Sequence, residues 1–196
     1  MDINLCKKLG VTIARRFTGG GAVYHDEGNL NFTILSRHHG KSLATLQETN
    51  SSYIVAALQN LGLRSECVPP NSVYLDGRKI AGAACALNSQ YALWHASILL
   101  STNTSRLRQV LSPSCQTIES KYVRSKWSQV TTLNEHLLNP VNAEELSLQL
   151  THSIRNLVDI EINPGRLSEI EEETSKTLYT RKYRSLQWNL HGTLEN

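Results

Sequence analysis

The chain predicts an α+β domain, with a mixed or antiparallel sheet laid down first and helices packed on it afterwards. Three observations lead there. Short apolar runs separated by turn residues fill much of the first hundred positions. Capped segments with apolar residues three and four apart interrupt and follow them. The length of 196 residues suffices for one core but not for two full domains, so 1–196 reads as a single domain.

In chain order, Met1–Leu9 has the form of a helix tail ended by Gly10 at the C′ position. Val11–Ala14 alternates as a strand does, running into Arg15-Arg16, and a further short strand is expected around Ala22–Tyr24. Leu30–Leu35 predicts another strand. Ser42 is placed to cap a long helix with Leu43, Leu46, Ile54, Val55, Leu58 and Leu61 on one side, closed by Gly62. Pro69-Pro70-Asn71 breaks the chain. Val73–Leu75 and Lys79–Ala86 are strands joined by Asp76-Gly77, a strong two-residue hairpin signal, and Ala92–Leu100 completes a meander. Later, Asn142 and Glu145 match a capping box ahead of Leu146, Leu150, Ile154 and Leu157. Pro164-Gly165 is a turn, and Arg166–Lys176 is a second helical candidate.

Composition removes several function classes. The apolar share of 40% and the charged share of 19% are those of an ordinary folded protein. No stretch reaches the roughly 18 apolar residues of a membrane span. The first ten residues lack a secretory h-region, so a cytoplasmic location is expected, with a mitochondrial one also compatible. The net charge of +3 is spread rather than clustered, which argues against a nucleic-acid partner. The small group Lys121, Arg124 and Lys126 reads as a solvated face. Cys6, Cys67, Cys85 and Cys115 show no zinc spacing, so they read as reduced thiols and no protein-held metal is expected.

Two segments carry chemistry. In Arg15-Arg16-Phe17-Thr18-Gly19-Gly20-Gly21-Ala22-Val23-Tyr24-His25-Asp26, three successive glycines let the backbone approach a ligand closely and aim N–H groups at an anion. The two arginines add positive charge for phosphate or carboxylate. Glycines alone are equally compatible with a plain turn. The loop is neither a P-loop nor a G-x-G-x-x-G loop. In the second segment, Asp76 to Ala84, Lys79 opens an apolar strand among small residues. There its ammonium is placed to lose part of its water and clamp a developing negative charge. Taken singly, the segment is better read as a lysine that protects an edge strand.

Together the two segments do more. RRFTGGGAVYHDEGNLNFTIL resembles the lipoate–protein ligase A family motif RRxSGGGAVYHDxGNLNxS, and NSVYLDGRKIAGAA resembles the family's second, lysine-bearing motif. LWHASILLST stands where the family has a HHGTLL-like strand, and weaker likeness extends through LNEHL to RKYRSLQWNLHG. The resemblance implies the class II synthetase/biotin–lipoate ligase fold. It implies a ligase that activates lipoate with Mg2+-bound ATP to lipoyl-AMP, then passes the lipoyl group to a lysine of a carrier domain. Such carriers are the E2 subunits of 2-oxoacid dehydrogenases and the glycine-cleavage H protein. Carried over by residue, Arg16 contacts phosphate, and Gly20, Gly21, Ala22, Val23 and Tyr24 line the adenylate. Lys79 is the catalytic lysine between acyl carbonyl and phosphate. His25 and His95 are candidates for the acyl pocket.

The chain departs from the pattern in places. Ser72 stands where ligases often carry Asp beside Asn71, and Ala96-Ser97 replace Gly-Thr. The family's longer stretch before the Arg-Arg motif and its C-terminal accessory domain are not expected within these 196 residues, so the domain reads as incomplete: a truncated gene product, half of a two-subunit ligase with a separate accessory subunit, or a degenerate relative. Two alternatives follow from the same resemblance. One is an ATP-independent lipoyl or octanoyl transferase that takes the acyl group from an adenylate or another carrier, in some relatives through an acyl-cysteine, for which Cys67 is the candidate. The other is a non-catalytic relative that only binds carrier or adenylate.

Overall fold

A computed structural model describes residues 1–111 and 128–193. Cys115 and the Lys121, Arg124 and Lys126 group lie outside the described residues. Five strands form one sheet in the order β1-β5-β4-β3-β2, each antiparallel to its neighbour. They are β1 (Asn29–Arg37), β2 (Ser65–Val68), β3 (Ser72–Leu75), β4 (Arg78–Leu87) and β5 (Tyr91–Leu99). The turn between β3 and β4 takes positive φ at both Asp76 (50°) and Gly77 (70°), as the Asp-Gly pair predicts. Strand β2 has no counterpart among the sequence expectations. It is four residues long, carries Glu66, and gains its ladder only because β3 lies beside it.

One face of the sheet is covered. Helices α2 (Leu43–Asn60) and α4 (Ala143–Val158) contribute Ile54, Ala57, Leu58, Leu146 and Leu150 to a core shared with Val73, Ile80, Ala81, Trp94, Ala96 and Ile98. Both helices start as their caps require. Ser42 accepts from the Thr45 N–H, and Asn142 and Glu145 form the reciprocal capping box. The fully buried Trp94 donates its indole N–H to Gln47 at 2.7 Å, so the ring loses no hydrogen bond to water.

A smaller cluster gathers Cys6, Tyr24, Leu99, Leu107 and Val110, with Val11 and Ile13 against it. It joins α1 (Ile3–Lys8) and α3 (Thr104–Leu111) to one end of the sheet. Here two expectations fail. Val11–Ala14 and Ala22–Tyr24 belong to no strand. Val11–Ala14 does alternate in burial, with Val11 and Ile13 half-buried against the cluster that includes residues of α1 and α3, whereas Ala22 and Val23 are both exposed and only Tyr24 is buried. The sheet therefore begins at Asn29. The later helix α5 (Glu169–Leu178) starts three residues beyond the expected position, because Ser168 and Glu171 form its capping box. A π-turn (Tyr179–Tyr183) and helix α6 (Leu186–His191) follow.

Gly28 holds the start of β1 against the end of β5. Its carbonyl accepts the N–H groups of Leu100 and Ser101, both at 2.9 Å, and the Thr102 hydroxyl at 3.0 Å. A Cβ at position 28 would run into the Thr102 nitrogen and come within 2.7 Å of the Ser101 carbonyl oxygen. These are backbone atoms and cannot rotate aside. Gly28→Ala is expected to cost about 3 kcal/mol, a fall of roughly 6–12 °C in melting temperature. A thermal melt within about 2 °C of wild type would show that the two segments separate freely.

Candidate functional site

The opposite face of the sheet has no helix on it among the described residues; around Gly82 it is built from small and polar side chains, giving way to Leu35 and Leu93 farther along. Register puts Asn31, Ser97 and Gly82 in one row across it, with Thr33, His95 and Ala84 in the next. Lys79 joins this face through an irregularity. Val73 pairs with Ala81 but Tyr74 pairs with Lys79, so Ile80 is an extra residue in β4. Strict alternation from the buried Ala81 would turn Lys79 toward the core. The bulge instead buries Ile80 and Ala81 side by side, at 0% and 2% exposure, and turns Lys79 over to the open face.

The lysine side chain then lies across Gly82, its Cε 3.1 Å and its Nζ 3.2 Å from where a Cβ there would stand. Burial lowers its affinity for a proton, since the ammonium has given up water without gaining a counter-charge. The lysine backbone is pinned on its far side. Its N–H donates to the Gln129 carbonyl at 2.8 Å, and the Thr131 N–H donates to its carbonyl at 3.1 Å. Asp76 meets His136 at 3.2 Å, and His136 meets the Thr131 hydroxyl at 2.9 Å, so the hairpin turn is tied to the same segment. Among the sequence signals, only the weak LNEHL likeness pointed to this tie.

The glycine loop is held over the other end of this face. Thr18, buried, shares a 2.7 Å hydrogen bond with His95 Nε2. Arg16 turns back on the loop, and its Nη2 donates to the carbonyls of Gly19 at 2.8 Å and Gly21 at 2.9 Å. Of the three glycines, Gly20 takes the left-handed conformation, at φ 102°. The Nε of Arg16 is buried with no hydrogen-bond partner, an arrangement that favours an incoming acceptor. Burial also weakens this guanidinium's hold on its proton.

Arg15 departs from expectation. Its guanidinium donates to the carbonyls of Trp188 and Leu190, both at 3.0 Å, so its charge is committed to α6 and not offered to a phosphate. Ala22 and Val23 are exposed beside the loop, while the Tyr24 side chain is buried in the smaller cluster. Burial and the Asp26 carboxylate both raise the Tyr24 phenol's affinity for its proton.

His25 and His95 are gathered near Arg16. For His25, an exposed residue, burial and then Arg16 lower the affinity for a proton, while Asp26 raises it. For His95, burial comes first, then Arg16, then His25. Both rings therefore bind protons more readily in the unfolded chain, whose reference value is 6.5. Their contribution to stability is full above that value and is lost as pH falls through the lower folded values. The urea midpoint is expected to fall between about pH 7.5 and about pH 5.5. His95→Gln should flatten that slope, and an unchanged slope in this variant would remove His95 from the account.

Cys67 is poorly placed for acyl transfer. It pairs with the buried Val73 on the helix-covered face, and burial and the Glu48 charge push its thiol up, away from thiolate. Among the described residues no group of three His, Cys, Asp or Glu side chains is placed to hold a metal ion. No helix among them is long and apolar enough to cross a membrane.

A sheet covered on one face, with a braced glycine loop and a desolvated lysine on the other, defines the biotin/lipoate ligase type of fold. Biotin protein ligase from Aquifex aeolicus superposes with a TM-score of 0.50 over 78% of this chain and 58% of its own, at 17% identity, a likeness of fold alone. The model of the lipoyl protein ligase A/B catalytic domain matches residues 1–155, and the chain belongs to that family. Lipoate-protein ligase A subunit 1 of Thermoplasma acidophilum is 29% identical over 97% of this chain and 76% of its own length. A Bacillus subtilis lipoate-protein ligase is 31% identical over 92% of this chain, which spans 54% of that relative. Among solved structures, a bi-partite lipoate protein ligase of T. acidophilum, studied with its E2 lipoyl domain, superposes with a TM-score of 0.84 at 26% identity, over all of this chain and 76% of its own. A lipoate-protein ligase A bound with ATP gives 0.76 at 28%, over 96% and 75%.

Proposed function

We propose that this chain is the catalytic part of a lipoate–protein ligase. A lipoate carboxylate oxygen attacks the α-phosphorus of ATP and pyrophosphate leaves. The amine of a carrier-domain lysine then attacks the acyl carbonyl, loses a proton, and AMP leaves. The observation that carries the reading is the pairing of two cationic groups with unmet demand on one face, the desolvated Lys79 ammonium and the Arg16 guanidinium with its buried, unpartnered Nε. Joining carboxylate to phosphate concentrates negative charge, and fixed cations in a partly dry site lower that barrier.

Arg16, Gly20, Gly21, Ala22, Val23 and Tyr24 line the nucleotide half of the adenylate in this reading. Lys79 lies between its phosphate and acyl carbonyl, and His25 and His95 border the acyl chain. Mg2+ arrives on the triphosphate, which suits an ion that keeps most of its water and binds through phosphates. Residues 1–196 act as one catalytic domain. The carriers are lipoyl domains of E2 subunits and the H protein, and a separate accessory subunit completes the enzyme, as the name of the Thermoplasma relative suggests. The cytoplasm, where free thiols persist, is the proposed compartment.

Lipoate-dependent pyrophosphate release, measured with and without a lipoyl domain and with and without an accessory subunit, tests the reading. Release that needs lipoate supports it. Lipoyl transfer from preformed lipoyl-AMP without any pyrophosphate release, in every combination, would instead make the chain a transferase.

A further inference from the structure

The first arginine of the Arg-Arg pair is unused by the reaction just described, and its surroundings give it another task. Every polar group of Arg15 for which a partner is found points to α6, some 173–175 residues away in sequence. Its backbone N–H donates to Asn189 Oδ1 at 2.9 Å and its carbonyl accepts the Trp188 indole N–H at 2.8 Å. Its guanidinium donates to the Trp188 and Leu190 carbonyls at the C-terminal end of that helix, where the backbone dipole is negative.

The receiving side is built to stay in place. Asn189 also donates its amide to the Tyr183 carbonyl at 3.0 Å, so both ends of the side chain are fixed. The Trp188 ring carries the Lys182 ammonium 4.0 Å from its centre and meets the Tyr183 ring edge-on at 6.0 Å. Gly192 ends the helix at φ 75° and brings its own N–H to the Trp188 carbonyl, beside the Arg15 guanidinium. Yet none of these residues belongs to either hydrophobic cluster. What they fix is position. With both backbone groups of residue 15 held, Arg16 leaves in a set direction and meets the carbonyls of Gly19 and Gly21.

We propose that α6 is a strut for the glycine loop, and that Arg15, Trp188 and Asn189 are positioning residues for binding of the adenylate's nucleotide half. The proposal rests on the ligase reading for the identity of the ligand but not for the strut itself.

The test uses the full chain and three variants. Asn189→Ala removes the acceptor for Arg15 N–H, Trp188→Phe removes the indole N–H while keeping a ring, and Asn189→Asp keeps the acceptor. Amide exchange across residues 16–22 is followed by mass spectrometry, lipoyl-AMP binding by titration calorimetry, and folding by thermal melt. A hydrogen bond contributes about 1 kcal/mol, so Asn189→Ala and Trp188→Phe are each expected to speed loop exchange about fivefold and weaken binding about five- to tenfold. The melting temperature should move by no more than about 4 °C, and Asn189→Asp, which keeps the acceptor for Arg15 but loses the donor to the Tyr183 carbonyl, should fall between wild type and Asn189→Ala. Unchanged loop exchange in both variants overturns the strut, as does a loss of binding that only follows a matching loss of stability. Should wild type bind no lipoyl-AMP, the ligase reading fails, and loop exchange still decides the strut.

Discussion

Lys79→Ala is expected to slow adenylate formation about 10²–10³-fold while the fold stays intact. The loss is electrostatic. The ammonium lies half-buried over Gly82 with its proton affinity lowered by desolvation, so the protein carries a cost that only an anion placed beside it can offset. Without an anion, removing the charge relieves that cost, and the melting temperature should hold or rise. Lys79→Arg should fail too, since a planar fork cannot take the place of a compact ammonium in the narrow space above Gly82. Single-turnover measurement of both half-reactions, adenylate formation and transfer, is the check. Near wild-type rates in both for Lys79→Ala would end the catalytic assignment.

Gly20→Val carries the second large effect, on binding. At φ 102° a β-branched residue is strained, and its Cβ would stand 2.8 Å from Arg16 Nη2, the atom that braces the loop. The substitution thus expels the brace and obstructs the ligand at once. A roughly 30- to 100-fold weaker lipoyl-AMP affinity is expected. The loop tip is exposed and outside both cores, so the melting temperature should fall by only about 2–4 °C. Gly21→Val should act in the same direction, by adding a side chain where the loop's backbone would approach the ligand. Titration calorimetry beside thermal melts separates the outcomes. Equal losses of binding and stability would reduce the loop to a plain turn.

Much of this molecule was legible before any coordinates. The caps at Ser42 and Asn142, the Asp76-Gly77 turn and the three meander strands depend on residues within a few positions of one another, and such contacts form wherever the chain goes. The two motifs were legible for a related reason. Three successive glycines and a lysine among small residues stand out in the chain itself, whatever surrounds them.

What the sequence hid was settled between distant segments. Val11–Ala14 has a strand's alternation, but whether such a segment joins a sheet depends on a free neighbouring edge, and α1 and α3 took its apolar side chains instead. Arg15 and Arg16 are adjacent and chemically identical, yet one braces the glycine loop and the other grips α6, a division made by where the far end of the chain docks. Lys79 shows the point most sharply. Period-two alternation from the core would have aimed it inward. Only the pairing of β4 with β3, which leaves Ile80 as an extra residue, turns the lysine onto the open face. Local preference determines which elements can form; register, edges and docking, which are non-local, decide which way their side chains face.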